Sequence, residues 1–376
     1  MKAGIYQFIK KVSNAGFQLL GLLRTEWTQA GGSVALSAEP AHSIPLPRNA
    51  AQLPVPYRDK FGLGVPLPER RVHLLRQVQV SWHGVVFHNL RLFQPSVSAT
   101  YWMAPEFSGT FLLRQWSGAH VQAFKSEVVG LAHGPWAVNN YYHWMVDTLP
   151  RLLLLQRFEP GCRLLLPEPS PDYVRQTAAI FGFNRVLPVP LGTVANVPQL
   201  VMPDYPAQSG FQDAVLSLAA RDTVLRAFGL ELLGGRRIYV SRSRQLRRRL
   251  INEADIEPLL RQYGFETVYF EDMNFEEQVR LMAQTSVLVG MHGANLTNMM
   301  FMPLQATVVE ITMGTRPILF NPCYYYLADS MQLVYYNVPC RDNPSDAEHE
   351  NHPELYVEYA ALASVFADLF PLEQSL

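Results

Sequence analysis

The sequence predicts an α/β protein whose second half forms a doubly wound domain. Between residues 237 and 311, four short apolar runs alternate with amphipathic segments. The run at residues 287–291 is too short for a lone helix and apolar throughout, which fits a strand buried on both faces. A glycine-containing turn bearing His292 follows it directly, where open parallel sheets place their ligands.

Taken in chain order, Ile5, Phe8, Ile9, Val12 and residues 19–23 are apolar, with Lys10, Lys11 and Arg24 between or beside them. This reads as an amphipathic helix, either packed on the protein or lying in a membrane interface. Ser13, Asn14 and Gly16 interrupt it and no small-residue cleavage site follows, so it makes a poor signal peptide. Residues 30–70 are rich in proline, alanine and short polar residues, which gives an extended, loop-like path. The alternation in VQVSWHGVVFH and the run TFLLRQW predict strands between residues 78 and 116. A helix over residues 139–155 and another over 172–181 accompany short strands at 162–166, 186–189 and 199–202. The amphipathic segment 212–228 then leads to Gly229, Gly234 and Gly235, a hinge into the second domain.

There the strand 237–242 comes first, then a loop or loose first turn at 250–254. Pro258 would break a helix begun at Asn252 but is tolerated in the first turn of one capped by Asp255, so the helix is read as 255–263. A strand at 266–270, a helix at 274–284, the strand 287–291, a short helix capped by Asn295 and a strand ending at Ile311 follow. Residues 355–370 form a last helix. The boundaries are therefore 1–228, with 1–75 irregular, then 229–345, then a helical tail at 346–376. No internal repeat is present.

The turn at His292 has the layout of a phosphate site. Gly293 and Ala294 let backbone N–H groups approach a ligand, and a helix start offers unpaired donors and the positive end of its dipole. A basic run, SRSRQLRRR over residues 241–249, follows the strand 237–242 at the same sheet edge. Guanidinium groups bind phosphate oxygens in a fork and neutralise a diphosphate leaving group, with Arg242 and Arg248 as the candidates, although a solvated basic loop is the plainer reading. Glu310 is a carboxylate in an apolar strand and needs either a hydrogen-bonded partner or a cleft to face.

In the first half, a helix capped by Asn139 or Asn140 puts His143, Asp147 and Arg151 on one face, with Pro150 as a kink between the last two. His143 could act as a general base oriented by Asp147, Asp147 could itself be the base with His143 on a donor phosphate, or the helix could be a core helix and no more. Tyr324, Tyr325 and Tyr326 fit either sugar stacking or packing.

The combination of SRSR with a following RRLINE, VGMHGANLTNMMFMP and TVVEI, together with NNYYHWMVDTLPRLLLL upstream, resembles glycosyltransferase family 61. The resemblance covers residues 139–311 and fades before residue 100. It implies a GT-B architecture, two facing Rossmann-like domains with the donor cleft between them. It also implies a nucleotide-sugar donor on the C-terminal domain, a glycan acceptor, and inversion at the anomeric carbon without a metal. By the same analogy the nucleotide is UDP, Glu310 accepts hydrogen bonds from the donor ribose, His292 contacts the diphosphate or donor sugar, and the last helix crosses back to the first domain. Capsular or other cell-surface polysaccharide synthesis is the setting the family suggests.

Composition sets limits. The chain of 376 residues is long enough for two cores, and 48% hydrophobic residues suffice to fill them. A formal charge of −1 gives no support for a nucleic-acid partner. Cys162, Cys323 and Cys340 have no metal-ligand spacing and read as reduced structural thiols, in keeping with a cytoplasmic protein, peripheral on the inner membrane face if the N-terminal helix binds lipid. No stretch of eighteen apolar residues occurs. No Asp-X-Asp occurs either, so no metal is expected at the donor and no cofactor is needed. The rival readings are a nucleotide-sugar epimerase or other GT-B enzyme, and a non-catalytic sugar-binding or scaffold protein. A dehydrogenase is disfavoured because no Gly-X-Gly-X-X-Gly follows a strand.

Overall fold

The computed structural model describes residues 33–36, 43–67, 69–88, 91–97, 111, 118–123, 127–245, 249–313, 321–342 and 355–371. The N-terminal amphipathic segment, the run TFLLRQW apart from Phe111, and Arg248 lie outside the described residues. The chain divides into two compact units, 1–40 with 66–224, and 41–65 with 225–376. Among the described residues no helix is long and apolar enough to cross a membrane.

The strands of the first unit are β1 (Ser33–Leu36), β2 (Arg70–Ser81), β3 (Val86–His88), β4 (Arg91–Leu92), β5 (Ala119–Gln122), β6 (Val128–Gly130), β7 (Arg163–Glu168), β8 (Val186–Pro190) and β9 (Thr193–Pro203). Among the described residues they form one sheet, ordered β4-β3-β2-β9-β6-β7-β8, with β1 on β2 and β5 on β9. The pairs β6/β9, β6/β7, β7/β8 and β5/β9 are parallel. By contrast β2 runs antiparallel to β1, β3 and β9. This corrects the Rossmann-like expectation for the first half. The long strand β2 adds an antiparallel meander to a parallel βαβ core, because its alternating residues Val78 and Val80 bury against the same core as Val129 and Leu200.

The second unit contains β10 (Arg236–Val240), β11 (Glu266–Val268), β12 (Thr285–Met291), β13 (Thr307–Thr312), β14 (Val334–Pro339) and the small pair β15 (Arg341–Asp342) and β16 (Leu355–Tyr356). The main sheet, β11-β10-β12-β13-β14, is parallel throughout. In chain order this is 2-1-3-4-5, a doubly wound arrangement with its switch point between β10 and β12. Tyr239, Val289, Val309 and Tyr336 point from one face into a core with the helices Glu253–Gln262 and Tyr359–Leu369. Val308, Glu310, Tyr335 and Asn337 point to the other face, as the strand period of two requires.

Several expected elements differ. Residues 41–65, read as loop within the first domain, belong to the second unit. The Arg48 N–H donates to the Tyr335 carbonyl at 2.9 Å, and Asn49 exchanges two hydrogen bonds with the Asn337 backbone. The last helix packs within the second unit. Its Leu362, Val365 and Phe366 are buried with Leu259 and Phe265, because the apolar face of the helix Glu253–Gln262 needs covering. That helix begins two residues before Asp255, with Asn252 at its cap in place of the expected Asp255, and contains Pro258 in its interior, so residues 253–254 are its first turn.

Candidate functional site

In the first unit, the helix Tyr141–His143 starts after the carboxyl end of β6 and is capped by Asn140, whose side chain accepts from the Tyr142 N–H at 3.0 Å. It continues as a π turn, Trp144–Thr148, and then as the α-helix Leu149–Phe158. Trp144, Met145, Leu149, Leu152 and Leu155 are buried, so the segment is held as a core helix and the polar groups on it are fixed by packing. Pro150 falls in the first turn after the π segment, so the irregularity precedes the proline expected to cause it.

Across the π turn His143 Nδ1 meets Asp147 Oδ2 at 2.8 Å, with side chains 12% and 10% exposed. A carboxylate can only accept, so Nδ1 carries the proton and Nε2 presents a lone pair. Trp136 and Tyr142 pack against the imidazole, with ring centroids 4.8 and 5.2 Å away, and fix its plane. One turn on, Arg151 is fully buried; its Nε donates to the Pro203 carbonyl at 3.0 Å and its guanidinium lies 4.5 Å over the Tyr205 ring. Burial pulls the Arg151 pKa down, while Tyr205, Asp204 and Asp147 oppose that pull. Gly134 is required beside it, because a Cβ there would run into the Tyr205 hydroxyl.

In the second unit, β12 ends at Met291 and the His292 N–H donates to the Ile311 carbonyl at 2.9 Å, which extends the ladder to the turn. Gly293 is the cap of a short 3₁₀ helix, Ala294–Phe301, with Ala294 as its first residue. Asn295 is therefore inside the helix and does not cap it, which corrects the expectation from sequence; its side-chain Nδ2 is buried without a hydrogen-bond partner. The Arg242 guanidinium comes from the end of β10 and lies against Gly293, with Cζ 3.0 Å from where a Cβ would sit. A guanidinium, a glycine turn and a helix start thus meet at the switch point of the sheet.

Glu310 is fully buried, and both of its oxygens are engaged. His292 Nδ1 lies 2.5 Å from Oε1, and the Tyr335 hydroxyl donates to Oε2 at 2.5 Å. Asn337 donates to the Tyr335 oxygen at 3.2 Å, and the Tyr324 ring stands edge-on to the imidazole at 5.1 Å. The β ladder explains the cluster: Gly290, Glu310 and Asn337 are register partners across β12, β13 and β14. Glu310 has no accessible surface, and its two oxygens face His292 and Tyr335.

The glycosyltransferase 61 family model matches residues 141–309. The matched stretch is under half of the chain. The human protein O-linked-mannose beta-1,4-N-acetylglucosaminyltransferase 2 is 41% identical over 87 residues, which is 22% of this chain and 14% of that protein. The Drosophila melanogaster EGF domain-specific O-linked N-acetylglucosamine transferase is 31% identical over 118 residues, 31% of this chain and 22% of that protein. The Xenopus tropicalis counterpart of the human protein is 39% identical over 118 residues. The matches thus span less than a quarter of each of these relatives' own length.

The matched stretch contains His143, Asp147, Arg242, Arg248 and His292 to Asn295; Glu310 follows it directly. The structure joins His143 to Asp147, Arg242 to Gly293, and His292 to Glu310. Arg244, from the same run, pairs with Asp272 at 2.6 Å over the Tyr269 ring, an exposed contact. Tyr324, Tyr325 and Tyr326 are buried packing residues of the helix Cys323–Ser330. Sequence reasoning missed Tyr335 and Asn337, although a polar Asn337 in an apolar strand is the same kind of signal that marked Glu310. Among the described residues no group of three His, Cys, Asp or Glu could hold a metal ion.

Proposed function

We propose that this chain is an inverting, metal-independent glycosyltransferase that moves a sugar from a nucleotide diphosphate donor, UDP by family analogy, to a hydroxyl of a glycan acceptor. The observation that carries the reading is the His143–Asp147 pair inside the stretch that the glycosyltransferase 61 model matches, a base held in the tautomer that attack requires. In the proposed step His143 Nε2 takes the acceptor hydroxyl proton as the oxygen bonds to the anomeric carbon, and the bond from that carbon to the diphosphate oxygen breaks. Arg242 and the N–H groups of the Gly293-Ala294-Asn295 turn take the charge that develops on the diphosphate. His292, oriented by Glu310 and Tyr335, contacts the donor. The arrangement proposed for the two units is GT-B.

The names of the relatives favour N-acetylglucosamine as the donor sugar and an O-linked glycan as the acceptor type. A cell-surface or capsular polysaccharide is the alternative acceptor that the family allows. The test is to incubate the purified full chain with UDP-N-acetylglucosamine and other UDP-sugars, with and without EDTA, and follow UDP release and product anomer by NMR. EDTA-insensitive turnover with inverted configuration, lost in His143→Ala, supports the reading. Retained turnover in His143→Ala, or retention of configuration, overturns it.

A further inference from the structure

A cavity of about 360 Å³ opens in the second unit at the amino ends of β13 and β14, the sheet edge opposite His292. Its size is in the range of about 300–1,000 Å³ typical of small-molecule sites. Tyr325 and Tyr335 contribute buried aromatic walls, while Arg48, Gln305, Asp329 and Gln332 supply polar groups around them.

Two of the polar residues sit in costly backbone. Gln305 has φ 62° and Gln332 φ 57°, left-handed conformations that glycine adopts without strain. Gln332 follows the end of the helix Cys323–Ser330, where glycine is the usual residue. The two positions are tied together, since the Gln305 N–H donates to the Gln332 carbonyl at 2.9 Å. Glycine would satisfy both turns; glutamine adds an amide to the cavity wall at the expense of strain, and strain of this kind collects at binding sites.

The lining selects the ligand. One cation and one anion, Arg48 and Asp329, disfavour a net charge of either sign, while the Gln332 amide brings a donor and an acceptor and the Gln305 amide, whose Nε2 donates to the Gln332 carbonyl at 3.3 Å, brings its oxygen. Such groups above aromatic and aliphatic walls fit a neutral sugar, with hydroxyls for the polar groups and a C–H face for the rings. Tyr335 lines the cavity and its hydroxyl donates to Glu310, which holds His292, so one residue links the cavity to the turn at the other edge.

We propose that this cavity is a second carbohydrate site, binding one neutral sugar unit of a glycan, and that Tyr335 couples its occupancy to the nucleotide site at His292. The coupling rests on the glycosyltransferase reading; the sugar binding does not. The experiment is calorimetry and ligand-observed NMR on the full chain with N,N′-diacetylchitobiose, maltose and, as a charged control, a glucuronic acid disaccharide, with UDP titrated separately. One of the neutral disaccharides should bind saturably and the charged one should not. Arg48→Ala and Gln332→Gly should weaken sugar binding by about tenfold while leaving UDP affinity within about twofold. Gln332→Gly should melt no lower than the wild type, which separates lost ligand contact from lost folding. Tyr335→Phe should keep sugar binding but abolish the change in UDP affinity that the sugar produces. No saturable binding of either neutral sugar, or binding unchanged in both wall variants, overturns the site; sugar binding with no effect on UDP affinity in the wild type overturns the coupling. Failure of UDP to bind at all counts against the donor site and leaves the sugar result standing.

Discussion

Replacing Glu310 with glutamine tests the organisation of the second unit with little change of shape. The carboxylate accepts from two partners at 2.5 Å, His292 Nδ1 and the Tyr335 hydroxyl, and has no exposed surface. The amide of Glu310→Gln keeps one acceptor oxygen, and its NH₂ group faces the other donor. If the oxygen stays on Tyr335, His292 must release its Nδ1 proton and move it to Nε2, which reverses the nitrogen offered to a ligand. If it stays on His292, the Tyr335 hydroxyl must turn away from a buried donor. Either arrangement exchanges one hydrogen bond to a carboxylate for at best a neutral amide contact, a cost of up to about 1.5–3 kcal/mol. For a unit in the 150–250 residue class each kcal/mol moves the midpoint by about 2–4 °C, so melting should drop by roughly 3–12 °C. Differential scanning calorimetry reads this directly, with UDP titration as a second readout that should weaken as well. A Glu310→Gln variant melting within about one degree of the wild type would refute the claim that this carboxylate holds the cluster together.

Asp147→Asn should leave UDP binding unchanged and lower kcat by about 10²–10⁴, the range expected when a general base loses its tautomer, as steady-state kinetics would show. Gly293→Ala places a methyl where the Arg242 guanidinium lies and forces alanine into φ 159°, ψ 173°, a region essentially confined to glycine, so calorimetry should show weaker UDP binding together with a strain cost of about 1–3 kcal/mol in stability. Burial pulls the His133 pKa down to about 3 from an ordinary 6.5, so in that window the unfolded chain takes up a proton that the folded chain does not. The stabilising effect is present above pH 6.5 and lost as pH falls towards 3, on the order of 4 kcal/mol in all, and urea titrations of His133→Gln should show a flatter profile.

What was legible in the sequence follows from how local each signal is. The parallel sheet of the second unit could be read because β12 and β13 are short apolar runs next to turn residues, and periodicity alone defines them. His143, Asp147, Arg242, His292 and Glu310 could be singled out because each is a polar group set in an apolar context or at a strand end. Their partners could not. Spacing does not show that Tyr335, 25 residues away, reaches Glu310, since that depends on the register of β14. The placement of residues 41–65 on the second unit rests on bonds from Asn49 to Asn337 across 288 residues, which no local pattern encodes. The antiparallel strands around β2 were partly visible as alternation, but alternation does not tell the direction of the neighbouring strand. The identity of the cap at Gly293 turned on one residue, the least certain feature of any helix read from sequence.

The π turn at Trp144–Thr148 limits how this protein can be redesigned. Such a turn accommodates one residue more than an α-helix would, and each residue rotates the helix by about 100°. Deleting a residue within it would give a more regular and locally more favourable helix, yet everything after the deletion would turn by that angle relative to His143. Either Asp147 would leave the imidazole or Leu149, Leu152 and Leu155 would leave the core. The irregularity is the joint between two demands on one helix, and routine helix idealisation would stabilise the element while disconnecting the pair it carries.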